Sequence, residues 1–319
     1  MKSKIFVGVD IGGTKISAAL VTDSGKIISR QKIPVPLKAP SKKIFNCIVD
    51  LIKNLLSDNN LTAKNLAGIG SGVPGIVDPN NKIIITPNIK LSGFPLAGEL
   101  KKKFRTDVAL GNDVNLGVLG EQWLGAGRKV KNLIGIFPGT GVGGAIIMDD
   151  QLMIGHHGAA AEVGHMIIDP KGPACTCGNR GCLEAIAGRW AIERDIRQAL
   201  KKGRRTHNNK LAKGKLETIK SKVLAEGIRK KDPLILPIMK RAAETLGMAC
   251  VGLRHLFDPE LIILGGGLIE ACGDFILPTV QNKINKDPFF SKLSRCKAVP
   301  SQLADDAVIL GAVAFIKKL

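Results

Sequence analysis

Three cysteines and a histidine carry the most specific chemical signal in the chain. In AEVGHMIIDPKGPACTCGNRGCLE, Cys175, Cys177 and Cys182 form a C-x-C-x4-C array, Gly178 and Gly181 supply bends, and His165 stands ten residues before the first thiol. Three thiolates and one imidazole make a closed tetrahedral set of the kind that holds structural Zn²⁺. Buried free cysteines are the plainer alternative, but three thiols within eight residues, interleaved with turn formers, favour the metal. Cys47, Cys250, Cys272 and Cys296 are scattered and read as buried apolar groups, while His156, His157, His207 and His255 have no such companions.

A second chemistry is written in VDIGGTKISAAL, which begins at Val9. Gly12 and Gly13 let backbone N–H groups approach phosphate oxygens, Thr14 and Lys15 add donors, and Asp10 can hold a hydrated Mg²⁺. A hairpin tip alone has no need for an acid on one side and a lysine on the other. The glycine turn recurs in GTGVGG, with Gly139, Thr140, Gly141 and Gly143. After the apolar LIIL, Gly265, Gly266 and Gly267 open a helix where backbone can lie flat against an adenosine phosphate. GNDVNLG places Asp113 at the C-terminal end of a strand, the usual ligand edge of an α/β sheet. Asn112 or Asp113 can equally cap the helix that follows. The roles are compatible, since a carboxylate there can accept a proton from a bound hydroxyl.

These residues need elements to hold them. Two short strands joined by the Gly-Gly turn lead into a third, residues 26–35, and then a helix, residues 42–59, with apolar residues at helical spacing. LAGIGSGVPGIVD reads as a strand ending in a Gly/Pro loop, and DVALGNDVN as a strand running into a helix over residues 115–123. NLIGIFPGTGVGGAIIMDDQLMIG repeats the plan of residues 4–34, so two similar α/β domains are expected to face each other across a cleft, one glycine loop from each reaching the same phosphates. Residues 183–200 and 240–256 show helical periodicity, the latter with Ala243, Leu246, Cys250, Leu253 and Leu256 or Phe257 on one side.

At 319 residues, 45% hydrophobic with mean hydropathy +0.13, the chain can bury a substantial core and its length suggests two domains. No run approaches the roughly eighteen uninterrupted apolar residues of a membrane span, and MKSKIFVGVDIGG lacks a secretory apolar region with a cleavage site. A cytoplasmic protein with no membrane partner and reduced thiols is expected. The net charge of +20 invites a polyanion, but twelve Lys/Arg against Glu217 and Glu226 place half of it in residues 201–231, without an aromatic. With no Tyr and 4% aromatics overall, base stacking has few platforms. A solvated basic surface is expected, with no specific nucleic-acid partner.

DIGGTK, GVPGIVD, GNDVN, GTGVGG, EVGH, CTCGNRGCLE and the run at residues 262–267 occur in an order that resembles the ROK family of sugar kinases and repressors, from residue 5 to about 315. The resemblance implies an actin-like, hexokinase-like (ribonuclease H-like) α/β fold of two domains with a cleft between them. Residues 1–115 would form the small domain, and 116–303 the large one with its zinc loop at 165–182. The closing DDAVILGA resembles the family's C-terminal helix, so residues from about 304 to 319 would pack back onto the N-terminal domain. The resemblance implies Asp113 as the base that takes the proton of the sugar hydroxyl attacking the γ-phosphate of ATP. Gly75, Asn112, Glu162, His165 and Glu184 would surround the sugar, His165 giving one ring nitrogen to zinc and the other to sugar. Asp10 would position Mg²⁺, and the two glycine loops would grip the phosphates from two sides.

Family repressors carry a helix-turn-helix domain ahead of the glycine motif. Here that motif starts at Asp10, leaving no room for one, and the chain keeps the base and phosphate loop that a non-catalytic sugar sensor usually loses. The expectation is therefore an ATP-dependent kinase of glucose, over kinases of fructose, N-acetylglucosamine or N-acetylmannosamine, with polyphosphate as an alternative donor. Residues that read the C2 substituent would lie in loops such as PNIKLSGFPL. The expected partners are sugar and nucleotide, and the expected assembly is a homodimer or homotetramer.

Overall fold

Strand β1, Ile5–Ile11, feeds two cores at once because its side chains alternate between the faces of its sheet. Val7, Val9 and Ile11 point into one apolar cluster, and Phe6 points into another. Each such side chain contributes roughly 1.5–3 kcal/mol when fully buried. The computed structural model describes residues 4–36, 39–87, 89–214, 217–293 and 295–318. Asn88 of the PNIKLSGFPL loop, Lys215 and Leu216 of the basic segment, and Leu319 at the chain end lie outside the described residues. The chain forms two units: Met1–Lys129 with Gln151–Ala161 and Gln302–Leu319, and Val130–Asp150 with Glu162–Ser301.

In unit 1, β1 is followed by β2 (Lys15–Thr22), β3 (Ile27–Pro34), α1 (Ser41–Ser57), β4 (Leu66–Val73), β5 (Ile76–Val77), β6 (Ile83–Ile85), α2 (Leu96–Phe104), β7 (Val108–Asn112) and α3 (Asp113–Leu124). The sheet order is β3-β2-β1-β4-β7, antiparallel in the first three strands and parallel from β1 through β4 to β7, with β5 and β6 as a separate ribbon. One face is covered by α1, whose Ile44, Ile48, Leu51, Ile52 and Leu55 are buried at helical spacing.

The other face receives the C-terminal helix, Ala307–Ile316. It lies close because β4 shows it only glycine. A Cβ on Gly68, Gly70 or Gly72 would run into Ile316, Ala312 or Val308 respectively, so sheet residues two apart meet helix residues four apart. The same helix packs along α3, where a Cβ on Gly311 would strike the Leu116 carbonyl. In the structure the first division falls after Lys129, since a boundary at residue 115 would cut through α3. Buried Glu121 on α3 accepts hydrogen bonds from the backbone N–H groups of Ala126 (2.8 Å), Gln302 (2.8 Å) and Leu303 (2.7 Å), anchoring the returning chain.

Unit 2 repeats the opening hairpin with β8 (Leu133–Pro138) and β9 (Val142–Met148), followed in the chain by β10 (Gln151–Leu152). Then come α4 (Leu183–Ala187), α5 (Arg189–Lys201), α6 (Asn209–Ala212), α7 (Ser221–Arg229), α8 (Ile235–Phe257), β11 (Leu261–Leu264), α9 (Gly267–Asn285) and β12 (Lys297–Pro300). Strands β9, β8, β11 and β12 lie side by side in that order, antiparallel for the first pair and parallel for the rest. On α8, Ala243, Leu246, Cys250 and Leu253 are buried as the periodicity requires, but Leu256 turns outward at 72% exposure. The single helix expected over residues 183–200 is broken at Gly188, whose backbone is extended. The first amides of α5 turn instead to the glycine loop: Arg189 N–H donates to the Gly139 carbonyl and Trp190 N–H to that of Thr140, both at 3.1 Å. The basic segment is largely exposed, tied down by buried Asp232, which accepts from Thr206 Oγ1 and His207 N–H, both at 2.7 Å. Among the described residues no helix is long and apolar enough to cross a membrane.

The glycine face of β4 yields a paired prediction. Gly70→Ala forces a methyl into the Ala312 backbone and should destabilise unit 1 by about 1–3 kcal/mol or more in urea unfolding. Gly98→Ala, on α2 where a methyl meets nothing within 4 Å, should stabilise by roughly 0.5–1 kcal/mol. Equal effects from the two would contradict the packing described.

Candidate functional site

The parallel register of unit 1 brings its chemistry to one edge. Asp10 on β1 lies level with Gly72 on β4, which lies level with Gly111 on β7, and Asn112 and Asp113 follow at once. Burial, joined by the negative charges of Asp113 and Asp305 and opposed by Lys15, pushes the Asp10 carboxyl up to about 7. Carboxylates from separated segments thus gather at one corner beside Lys15, and the outermost of them, Asp305, also feels the charges of Lys32 and Arg30; such carboxylate oxygens suit a hard divalent cation such as Mg²⁺. The turn between β1 and β2 is closed by Gly12 N–H on the Lys15 carbonyl at 2.9 Å and tied outward by Val35 N–H on the Thr14 carbonyl at 3.0 Å. A methyl at Gly13 would meet nothing within 4 Å. Lys15 Nζ pairs with Asp305 at 2.7 Å, so its ammonium is turned toward the segment before the C-terminal helix.

Asn112 performs the capping. Its Oδ1 accepts from Asn115 N–H at 3.0 Å and its Nδ2 donates to the Gly75 carbonyl at 2.9 Å, while Asp113 is the first residue of α3. Gly75 has φ +108°, and a Cβ there would collide with the Ile85 carbonyl, so the loop that Asn112 holds requires glycine.

In unit 2 the turn joining β8 to β9 holds Gly139, Thr140 and Gly141, and Gly143 lies on β9. Gly139 N–H donates to the Gly141 carbonyl at 2.9 Å. Glu184 on α4 fastens this turn, Oε2 accepting from Val142 N–H at 2.8 Å and Oε1 from Trp190 Nε1 at 3.2 Å. Gly265 N–H bonds the Ile136 carbonyl at 3.1 Å, Gly266 caps α9, and Gly267 is its first residue. First-turn amides of a helix have no partners within it. Glu162 lies near Glu184 and His165: burial raises its carboxyl above the ordinary range, with Glu184 adding to the rise and His165 opposing it.

The ligand atoms of His165, Cys175, Cys177 and Cys182 all lie within 4.8 Å of one another. Cys175 Sγ is 3.8 Å from His165 Nδ1, and Cys177 Sγ is 3.7 Å from Cys182 Sγ. Tetrahedral thiolates about 2.3 Å from a metal stand about 3.8 Å apart, so these donors fit one ion. Backbone bonds shape the loop: Cys175 N–H to the Asn179 carbonyl at 2.8 Å, Gly178 N–H to Cys175 at 3.1 Å, and Gly181 N–H to Pro173 at 2.7 Å. A backbone hydrogen bond at Asn179 and the neighbouring thiols pull Cys177 down to about 7, whereas burial pushes Cys182 up to about 12. Nδ1 of His165 faces the sulfurs, which leaves Nε2 on the opposite edge of the ring.

Three site neighbours escaped the sequence reading. Asp305 was visible only as part of DDAVILGA, Arg189 and Trp190 only as interior residues of the helix expected over residues 183–200. Nothing local marks them, because each acquires its partner across the fold: Lys15 lies 290 residues from Asp305 and Thr140 lies 49 from Arg189.

The Asp10 environment predicts a pH dependence in the protein free of divalent cations. Its carboxyl keeps a proton to about pH 7 in the native state, against 3.8 ordinarily. From roughly pH 4 to 7 the native state therefore binds more protons than the unfolded chain, and this group's contribution to stability falls as pH rises. Urea midpoints across that window should show the decline in the wild type and a flatter profile in Asp10→Asn.

The model of the ROK family matches residues 6–319. The chain is 36% identical over 314 residues to a glucokinase of Thermotoga maritima, covering 98% of this chain and 97% of that protein. It is 30% identical over 311 residues to a xylose repressor of Caldicellulosiruptor bescii, covering 97% and 77% respectively. Among solved structures, a ROK family glucokinase from Streptomyces griseus in complex with glucose and AMPPNP has a TM-score of 0.80 at 28% identity, covering 99% of this chain and all of that one. With the glycine loops, the Asn112–Asp113 pair and the His-Cys cluster all inside the matched region and the hexokinase-like, actin-like α/β fold around them, the chain belongs to the ROK family.

Proposed function

We propose that this chain is an ATP-dependent hexose kinase that converts glucose to glucose 6-phosphate. The observation that supports it most is the meeting of Asp10 and Asp113 at one desolvated strand edge, with Asn112 relieving Asp113 of the capping role. Asp113 takes the proton from the sugar hydroxyl as that oxygen attacks the γ-phosphorus, and the bond from γ-phosphorus to the bridging oxygen breaks to release ADP. Asn112, Glu162, His165 and Glu184 hold the remaining hydroxyls, with the Gly75 backbone beside them. Gly12, Gly13, Thr14 and Lys15, together with Gly139, Thr140, Gly141 and Gly143, present donors to the phosphates, and Gly265, Gly266 and Gly267 lie along the adenosine. Mg²⁺ held by Asp10 would neutralise phosphate charge. Zn²⁺ held by His165, Cys175, Cys177 and Cys182 would fix the His165 ring so that Nε2 meets the sugar.

Glucose is favoured over fructose and the N-acetylhexosamines by the glucokinase relatives and by the glucose-bound Streptomyces griseus structure. The xylose repressor relative supports a second reading, a sugar-sensing regulator. We place the protein in the cytoplasm, as a homodimer or homotetramer.

An ADP-release assay across glucose, fructose, N-acetylglucosamine and N-acetylmannosamine, with ATP or polyphosphate as donor, tests the assignment; glucose with ATP should show the highest kcat/KM. Asp113→Asn should lower kcat roughly 10²–10⁴-fold while glucose binding measured by calorimetry persists. Near-normal turnover would remove Asp113 from the role. Metal analysis should find about one zinc per chain, and Cys177→Ser should lower both zinc content and glucose affinity although Cys177 touches no sugar. Full glucose affinity in metal-free wild type would sink that coupling.

A further inference from the structure

Arg189 stands where two features of unit 2 meet, the break before α5 and the glycine turn between β8 and β9. Its N–H donates to the Gly139 carbonyl at 3.1 Å, and its guanidinium Nη2 donates to Thr140 Oγ1 at 2.8 Å. Backbone and side chain therefore both bind the turn. Its neighbours on α5 are spent differently: Arg194 pairs with Asp195 at 2.8 Å and Arg197 with Glu193 at 2.6 Å. No ion pair to Arg189 occurs among the described residues, and its one side-chain hydrogen bond is to a neutral hydroxyl. A guanidinium carries five N–H donors in a rigid fork suited to phosphate oxygens. Thr140 fixes the direction of that fork while cancelling none of its charge.

We infer that Arg189 binds the γ-phosphoryl group of the nucleotide and neutralises charge on it during transfer, with Thr140 as its positioning residue. The inference rests on the hexose-kinase reading and deepens it. The γ position follows from Glu184. This member of the proposed sugar set holds Val142 N–H at the β9 end of the same turn, so the turn is the part of the phosphate machinery tied to the sugar side. The phosphate nearest the sugar is the one transferred. As the bond from sugar oxygen to phosphorus forms and the bond to the bridging oxygen breaks, the electron pair leaves with ADP. Arg189 neither gives nor takes a proton; it stabilises charge through preorganised donors.

The test combines kinetics with nucleotide binding in the full-length, zinc-loaded protein. Arg189→Gln should lower kcat roughly 10²–10³-fold and weaken Mg-AMPPNP binding about tenfold or more while Mg-ADP and glucose binding stay near wild type. Arg189→Lys should recover part of the loss, since it restores charge but not the fork. Thr140→Val should have a smaller effect that disappears in the Arg189→Gln background, as expected for a residue acting through the guanidinium. A purely structural role would lower Mg-AMPPNP and Mg-ADP binding together. That result, or kcat in Arg189→Gln within about threefold of wild type, overturns the inference and leaves the kinase reading intact. A wild type that neither binds Mg-nucleotide nor phosphorylates any hexose overturns both. Should Arg189→Gln fail to fold, Arg189→Lys and Thr140→Val still decide the point by the same binding comparison.

Discussion

Crowding of negative charge at one desolvated edge is the constraint on which unit 1 depends. Asp10 arrives on β1 and Asp113 on the first turn of α3, and the charge of Asp113 adds to the cost of ionising Asp10. Such a pair persists only if the surrounding backbone leaves the carboxylates no means of separating. Parallel pairing of β1, β4 and β7 supplies that rigidity, because register through Gly72 sets where the end of one strand lies relative to another. The glycine face of β4 and the C-terminal helix pressed onto it hold the sheet in turn. Stability elsewhere in the unit thus underwrites an arrangement that is unfavourable in itself until a cation or a phosphate site makes use of it.

Unit 2 meets a different requirement with related parts. The carbonyls of the half-buried glycine turn between β8 and β9 still need donors. Here α5 provides the donors, at the expense of continuity with α4. The chain breaks at Gly188 so that Arg189 and Trp190 N–H groups face Gly139 and Thr140. Glu184 completes the fastening from the end of the turn nearest β9. The residues that hold the turn also border the proposed sugar set, so distortion of one should be felt by the other. The His-Cys cluster follows the same logic: the loop from Pro173 to Cys182 is folded by its own backbone hydrogen bonds, and His165 is oriented by where those sulfurs lie.

The proposed chemistry asks little covalent work of the protein. Phosphoryl transfer is governed by position and charge, and the groups suited to it are distributed over both glycine turns, the α3 terminus and the α5 terminus. The chain is similar along most of its length both to a glucokinase and to a xylose repressor, so overall likeness does not by itself separate catalysis from regulation. Under the proposed mechanism, substitutions at Asp113 and Arg189 are the ones that test the kinase reading against the regulator one.

Much of this was legible along the chain because the determining signals are local. Glycine turns between apolar strands, the C-x-C-x4-C spacing with its histidine, and the Asn112–Asp113 pair at a strand-to-helix junction each depend on residues within a short window. The backbone obeys local sterics and hydrogen bonding there. The repeated hairpin plan, and with it the α/β class, followed from the same signals. Helix ends were less legible: the periodicity of residues 183–200 is unbroken, yet the helix stops at Gly188 because amides beyond it find better partners on a distant turn. The division between capping and chemistry at Asn112 and Asp113 was ambiguous for a similar reason, since either residue can cap, and the Gly75 carbonyl helps orient the one that does. Lys15 facing Asp305, Arg189 facing Thr140 and Glu121 holding Gln302 and Leu303 belong wholly to the tertiary structure. Residue type and spacing specify which groups a chain can offer; only packing brings groups from distant segments within the few ångströms over which a hydrogen bond or an ion pair acts.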